Sequence, residues 1–129
     1  MLSHFKGYKM AGMGGALKNI SIDIASTKGK SNIHSAGKTL DQNECWNNLS
    51  VDCDCDSNPA DPKMKDIGIF ASLDSVSVDQ ACYDAVVNSE DPGKNALIEC
   101  LNSRHAIHVV EAAHRHCLGN TDYELINID

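Results

Sequence analysis

An α/β fold, with a small mixed sheet and about four helices packed on it, is what this chain of 129 residues predicts. Three observations carry the prediction. Leu49, Val51, Cys53 and Cys55 alternate with period two, and "DIGIFASLD" and "DYELINI" are short apolar runs of strand type. Beyond residue 74, apolar residues recur at three- and four-residue spacing, which marks helices with one buried face. Clusters of glycine, proline, asparagine and aspartate separate these segments.

The elements follow in order. "LSHFKG" reads as the end of a strand, and "AGMGG" as a glycine-rich turn opening a helix from about Ala16. "TKGKSNIHSAGKT" is polar and carries Gly29 and Gly37, so it reads as loop. "NNLSVDCDCD" is a strand ended by the two prolines of "SNPADP". Asp66 to Asp74 reads as a short buried strand. The clearest helix follows, with Val78, Ala81, Cys82, Ala85 and Val86 on one face, Ser75 or Ser77 as its cap, and Asp91-Pro92-Gly93 as its stop. "KNALIECLNS" is a shorter helix with Ala96, Leu97, Cys100 and Leu101 inward. "AIHVVEAAHRHCLGN" is another, burying Ala106, Val109, Val110, Ala113 and Cys117, with Gly119 suited to its C-terminal cap. "DYELINI" closes the chain as a last strand. No repeat or low-complexity tract interrupts the pattern, and the length fits a single domain over residues 1–129.

Composition narrows the function classes. Hydrophobic content of 42% and charged content of 22% are those of a globular protein, and no apolar run approaches the roughly 20 residues needed to span a bilayer. The opening "MLSHFKGYKM" lacks the apolar centre of a signal peptide. The net charge of −7 argues against general nucleic-acid binding. It is unevenly placed: residues 1–40 hold six lysines against one acid, whereas residues 41–129 hold five basic residues against seventeen acidic ones. A small anionic ligand fits the basic third. With no export signal and three of the six cysteines in helix-like segments, the expected compartment is reducing and cytoplasmic, with free thiols.

Two places carry candidate chemistry. Cys53 and Cys55 stand two apart in an extended segment, so both thiols face one way and Asp52, Asp54 and Asp56 the other. Two thiolates on one face suit zinc, iron or an edge of an iron–sulfur cluster, with His34, His4 and Cys45 as further donors. The same spacing suits a disulfide between them poorly, and the flanking carboxylates disfavour a free, nucleophilic thiolate. A half-buried strand that happens to carry cysteines, and redox chemistry, stay open beside the metal reading. The second place is Gly12, Gly14 and Gly15 with Lys18. A helix opening there offers N–H groups and a positive dipole end to a phosphate or carboxylate, although neither the P-loop nor the dinucleotide pattern is present. The plain alternative is a tight turn packing helix on sheet.

Other residues read as structural. His105, His108, His114 and His116 lie on a solvated helix face without the H-E-x-x-H spacing, and Glu111 and Arg115 form an i, i+4 pair. Asp79 falls near a helix start, where the dipole favours a carboxylate, with a ligand role left open.

Four stretches, "HFKGYKMAGMGGALKN", "GKSNIHSAGK", "NNLSVDCDCDSNPADPKMKDIGIFASLDSVSVDQAC" and "LGNTDYELINID", together resemble the family grouped as domain of unknown function 362, often described as iron–sulfur-centre or ferredoxin-associated proteins. The resemblance implies a metal- or iron–sulfur-associated protein with a redox-related role, matching the C-terminal part of longer relatives. It departs from them in lacking the four-cysteine ferredoxin run, and in Tyr8, Met13 and Ser75, where a histidine, an aromatic residue and an Asp-Pro pair are common. A shortened α/β unit exposes apolar surface and a sheet edge, so a homo-oligomer is expected. A non-catalytic interaction fragment is the alternative. The glycine turn with Lys18 and His34 also looks like the nickel-pincer lactate racemases, which would make the chain an isomerase.

Overall fold

The computed structural model describes residues 3–8, 12–23, 25–28 and 63–128. Among the described residues, four helices carry a small two-stranded antiparallel sheet packed against them. The strands are β1 (Lys6–Tyr8) and β2 (Gly12–Gly14), and the helices are α1 (Ala16–Asp23), α2 (Ser75–Asn88), α3 (Lys94–Ser103) and α4 (Ile107–Arg115). Among the described residues no helix is long and apolar enough to cross a membrane. The strand expected at "NNLSVDCDCD" lies outside the described residues.

The glycine stretch expected to be a turn is itself a strand. Lys6 pairs with Gly14, Gly7 with Met13 and Tyr8 with Gly12. Glycine is there because helices press on the hairpin. A Cβ at Gly7 would stand 3.1 Å from the Cys100 sulfur. At Gly12 it would stand 2.6 Å from the Cβ of Ala106, and Gly12 also has a φ of 81°, in the left-handed region that other residues avoid. Met13 enters the core between them, among Val76, Val86, Leu101 and Val110. The helix expected from Ala16 starts there, with Gly15 as the residue whose carbonyl accepts its first hydrogen bond, from Asn19 N–H.

The α2 helix begins one residue earlier in function than expected. Its cap is Asp74 rather than Ser75 or Ser77: the carboxylate accepts the N–H groups of Val76 (2.8 Å) and Ser77 (3.2 Å). The second oxygen accepts Asn120 N–H at 2.8 Å, and Ser77 Oγ donates to the Asn120 carbonyl, so one carboxylate fixes both a helix start and the C-terminal segment. Gly119 is therefore reserved for close approach, since a Cβ there would collide with the Asp74 carboxylate. These N–H bonds hold Asp74 below the ordinary carboxylate range, the one from Asn120 most strongly. A depressed folded pKa contributes stability above the unfolded value, lost as pH falls through the folded one. Asp74→Ala should lower stability by about 1–2 kcal/mol at neutral pH, and its deficit against the parent should shrink below pH ~4 in urea titrations.

Asp91, beyond α2, closes the turn as expected. Its side chain accepts Gly93 N–H (2.8 Å) and Lys65 N–H (3.1 Å), and Lys94 Nζ donates to the carbonyls of Val87 and Ser89 at the end of α2. The α3 and α4 helices both end in the same way. His105 (φ 51°) and Cys117 (φ 58°) take the left-handed position, while Ala106 N–H reaches back to the Leu101 carbonyl and Leu118 N–H to that of Ala113. Gly119 thus does not cap α4, and Cys117, expected on the buried face, is exposed. Ala96 is likewise exposed, whereas Leu101, Ala106, Val110 and Ala113 are buried as expected.

Two expected strands are absent. Residues 66–73 and 122–128 belong to no strand, and the first is not buried. Apolar alternation alone does not make a strand when no neighbouring strand takes up the N–H and C=O groups, and among the described residues none does. Glu111 also differs from expectation, pairing with His108 at 3.4 Å rather than with Arg115, whose guanidinium approaches His108 Nε2.

Candidate functional site

The hairpin and α1 bring Lys6 and Lys18 together. Lys6 lies opposite Gly14, and the absence of a side chain there opens room for two lysine stems: a Cβ on Gly14 would sit 3.5 Å from Lys6 Cε and 3.6 Å from Lys18 Cδ. Lys18 comes from the first turn and a half of α1, and its Nζ stands 3.7 Å from the centre of the Tyr8 ring, within cation–π range. Tyr8 is buried, which pushes its hydroxyl above the ordinary phenol value. The surface around Gly14 is therefore cationic, with an aromatic floor.

The anion at the start of α1 is the chain's own. Asp79, from the second turn of α2, accepts Ala16 N–H with Oδ1 at 2.7 Å and Leu17 N–H with Oδ2 at 2.8 Å. A helix start has N–H groups with no intrahelical acceptor, and a carboxylate satisfies them and meets the positive end of the dipole. Asp79 is only 2% exposed, and the contact works because Gly15 has no side chain; a Cβ would run into the carboxylate. Burial raises the Asp79 pKa, and the two N–H bonds oppose that without cancelling it. Sequence reasoning placed Asp79 at its own helix start and missed this second helix. The signal available was an acid three residues beyond the fully buried Val76, at a spacing that keeps both on one side of α2.

Gly12 and Gly14 in β2, Gly15 and Lys18 thus lie together where the strand passes into α1, but two α1 N–H groups considered for an external ligand already hold Asp79. His4 is exposed just ahead of β1. Cys53, Cys55, His34 and Cys45 lie outside the described residues. Cys82, one turn along from Asp79, has its thiol pushed up to about 11 by burial and then by the nearby carboxylate, so it is no nucleophile at neutral pH. The Cys100 thiol donates to the Gly12 carbonyl at 3.7 Å. Among the described residues no three His, Cys, Asp or Glu side chains converge as a metal site.

The hairpin, α1 and the Asp79 clasp define a helical arrangement around a glycine-rich, lysine-flanked strand. The chain belongs to the family described as domain of unknown function DUF362, whose model matches residues 1–84. That match takes in both strands, α1 and Asp79, while α3, α4 and the ending "LGNTDYELINID" lie outside it. No curated protein and no solved structure matches the chain.

Proposed function

We propose that the chain binds a thiophilic metal, zinc or iron, or an iron–sulfur cluster, through Cys53 and Cys55, with His34 and His4 as further donors and a redox-related role. The observation that carries this reading is the one-residue spacing of the two cysteines in the sequence, since an extended segment with that spacing would present two sulfurs on one face. The three described cysteines support it by contrast. Cys82 is held as a neutral thiol, Cys100 is engaged with Gly12, and Cys117 fills a helix-ending turn. The lysine-flanked surface at Gly14 serves an anionic group, such as a phosphate or carboxylate, through Lys6 and Lys18.

Metal analysis of protein purified without a histidine tag tests this. Stoichiometric zinc or iron is expected, lost in Cys53→Ala/Cys55→Ala and kept in Cys82→Ala. At a metal concentration a hundredfold above Kd, linkage adds about 2.7 kcal/mol of stability that chelator should remove. Metal-free protein whose melting is indifferent to chelator would overturn the reading. A non-catalytic interaction domain is the second reading, favoured by the exposed Ile69, Leu73 and Ile128.

A further inference from the structure

The lysines at Gly14 present charge without direction. A guanidinium, or a row of backbone N–H groups, fixes the plane and spacing of an anion's oxygens, whereas an ammonium is a compact point charge on a flexible stem. The chain's two arginines, Arg104 and Arg115, stand at the end of α3 and in α4, so neither the hairpin nor α1 carries a guanidinium. The N–H groups of Ala16 and Leu17, just ahead of Lys18, are taken by the Asp79 carboxylate. What remains for recognition at Gly14 is the amount of charge an anion carries.

The two lysines act on one place. Lys6 reaches Gly14 across the hairpin and Lys18 reaches it from α1, and both stems pass within 3.6 Å of where a Cβ would stand. Both are half-buried, which strengthens their Coulomb attraction over that of solvated surface lysines. Tyr8, whose ring centre lies 3.7 Å from Lys18 Nζ, is buried, and its hydroxyl is pushed above the ordinary phenol value, so the floor of the site adds no negative charge at neutral pH. A second negative charge on the ligand gains attraction from both ammonium groups at once.

We propose that the Gly14 site selects compact dianions of the phosphate-monoester class over monocarboxylates, with Lys6 and Lys18 reading charge rather than shape. This rests on the anion reading given above and decides between the two chemistries named there. It does not depend on the thiol centre.

Isothermal calorimetry of the whole chain at low ionic strength tests this, with inorganic sulfate as a dianion and acetate as a monoanion. At pH ~7.5 sulfate should bind about tenfold more tightly than acetate, and added salt should close the gap. Glycerol phosphate should tighten about tenfold relative to sulfate between pH ~5 and ~7.5, in step with a second ionisation near pH ~6. Sulfate keeps its charge over that range, so the ratio removes whatever His4, Lys6, Lys18, Tyr8 and Asp79 contribute. Inorganic phosphate and the ester should bind alike at pH ~7.5; an ester about tenfold tighter would show that more than charge is read and would overturn the proposal. Lys6→Met and Lys18→Met keep an unbranched stem and remove one charge each. Either should shrink the preference for sulfate over acetate to about threefold, while Lys28→Met, at an exposed lysine beyond α1, should leave it unchanged. A parent that binds none of these anions overturns the anion reading and the proposal together. A parent that holds acetate as well as sulfate, or a preference that survives both lysine substitutions, overturns the proposal alone.

Discussion

Asp79→Ala is expected to destabilise the protein by about 3 kcal/mol, because each hydrogen bond from a buried N–H to a charged acceptor is worth about 1.5–3 kcal/mol and two are lost at once. The Ala16 and Leu17 N–H groups have no helical partner to fall back on, and burial keeps water from replacing the carboxylate fully. Asp79→Asn keeps one accepting oxygen and turns an amide towards the other N–H, so its loss should fall between parent and alanine variant. Gly15 supplies the decisive control. In the parent, Gly15→Ala drives a methyl into the carboxylate and should cost about 2 kcal/mol. In the Asp79→Ala background the methyl has room, and the stiffer unfolded chain should make the same change neutral or favourable by about 0.5 kcal/mol. Urea denaturation of the four proteins measures the coupling; simple additivity would show that Gly15 is not reserved for Asp79. The pH dependence has a definite sign. A carboxylate whose folded pKa is raised contributes stability present below its unfolded value and lost as pH rises through the folded one. The parent's advantage over Asp79→Ala should therefore widen as pH falls from 7 towards ~4.

Gly12→Ala should be at least as damaging, by about 3 kcal/mol or more, through two separate causes. The left-handed backbone at φ 81° penalises any Cβ, and that Cβ would meet Ala106 at 2.6 Å and the Leu101 carbonyl oxygen at 3.0 Å. None of these atoms lies at the tip of a movable side chain, so relief requires α4 to shift away from the hairpin. A melting point lower by about 10 °C is the expected readout. Ala106→Gly removes the closest of these contacts and leaves the Leu101 carbonyl oxygen in place, so it should recover part of the loss in the double variant. No recovery would place the penalty in the backbone conformation and that remaining contact.

The helices were legible because each owes its existence to a local pattern. Ala106, Val110 and Ala113 sit at helical spacing, and the structure buries all three. The start of α1 at Ala16 was legible too, from the glycines before it. What escaped was set by distant partners. Asp74, rather than the serines after it, caps α2 because it also binds Asn120, 46 residues away. The acceptor for the α1 N–H groups lies 63 residues on, and no spacing rule links Ala16 to Asp79. The buried strand expected over Asp66 to Asp74 and the last strand expected at "DYELINI" do not form, because a strand needs a neighbour, and a short apolar run does not say whether one is at hand. Of the candidate site, the glycine stretch and Lys18 come together in the fold, whereas the Cys53 and Cys55 proposal rests on residue chemistry alone.

The hairpin's dependence on α2, α3 and α4 has a consequence for biosynthesis. Its residues leave the ribosome before those of α2, α3 and α4, yet Gly7 fits against Cys100, Gly12 against Ala106, and Ala16 against Asp79. Closing loops of that length must precede any reward from the contacts. The hairpin is thus made ahead of the helices it needs, and until they arrive its glycines and lysines remain within reach of chaperones and proteases.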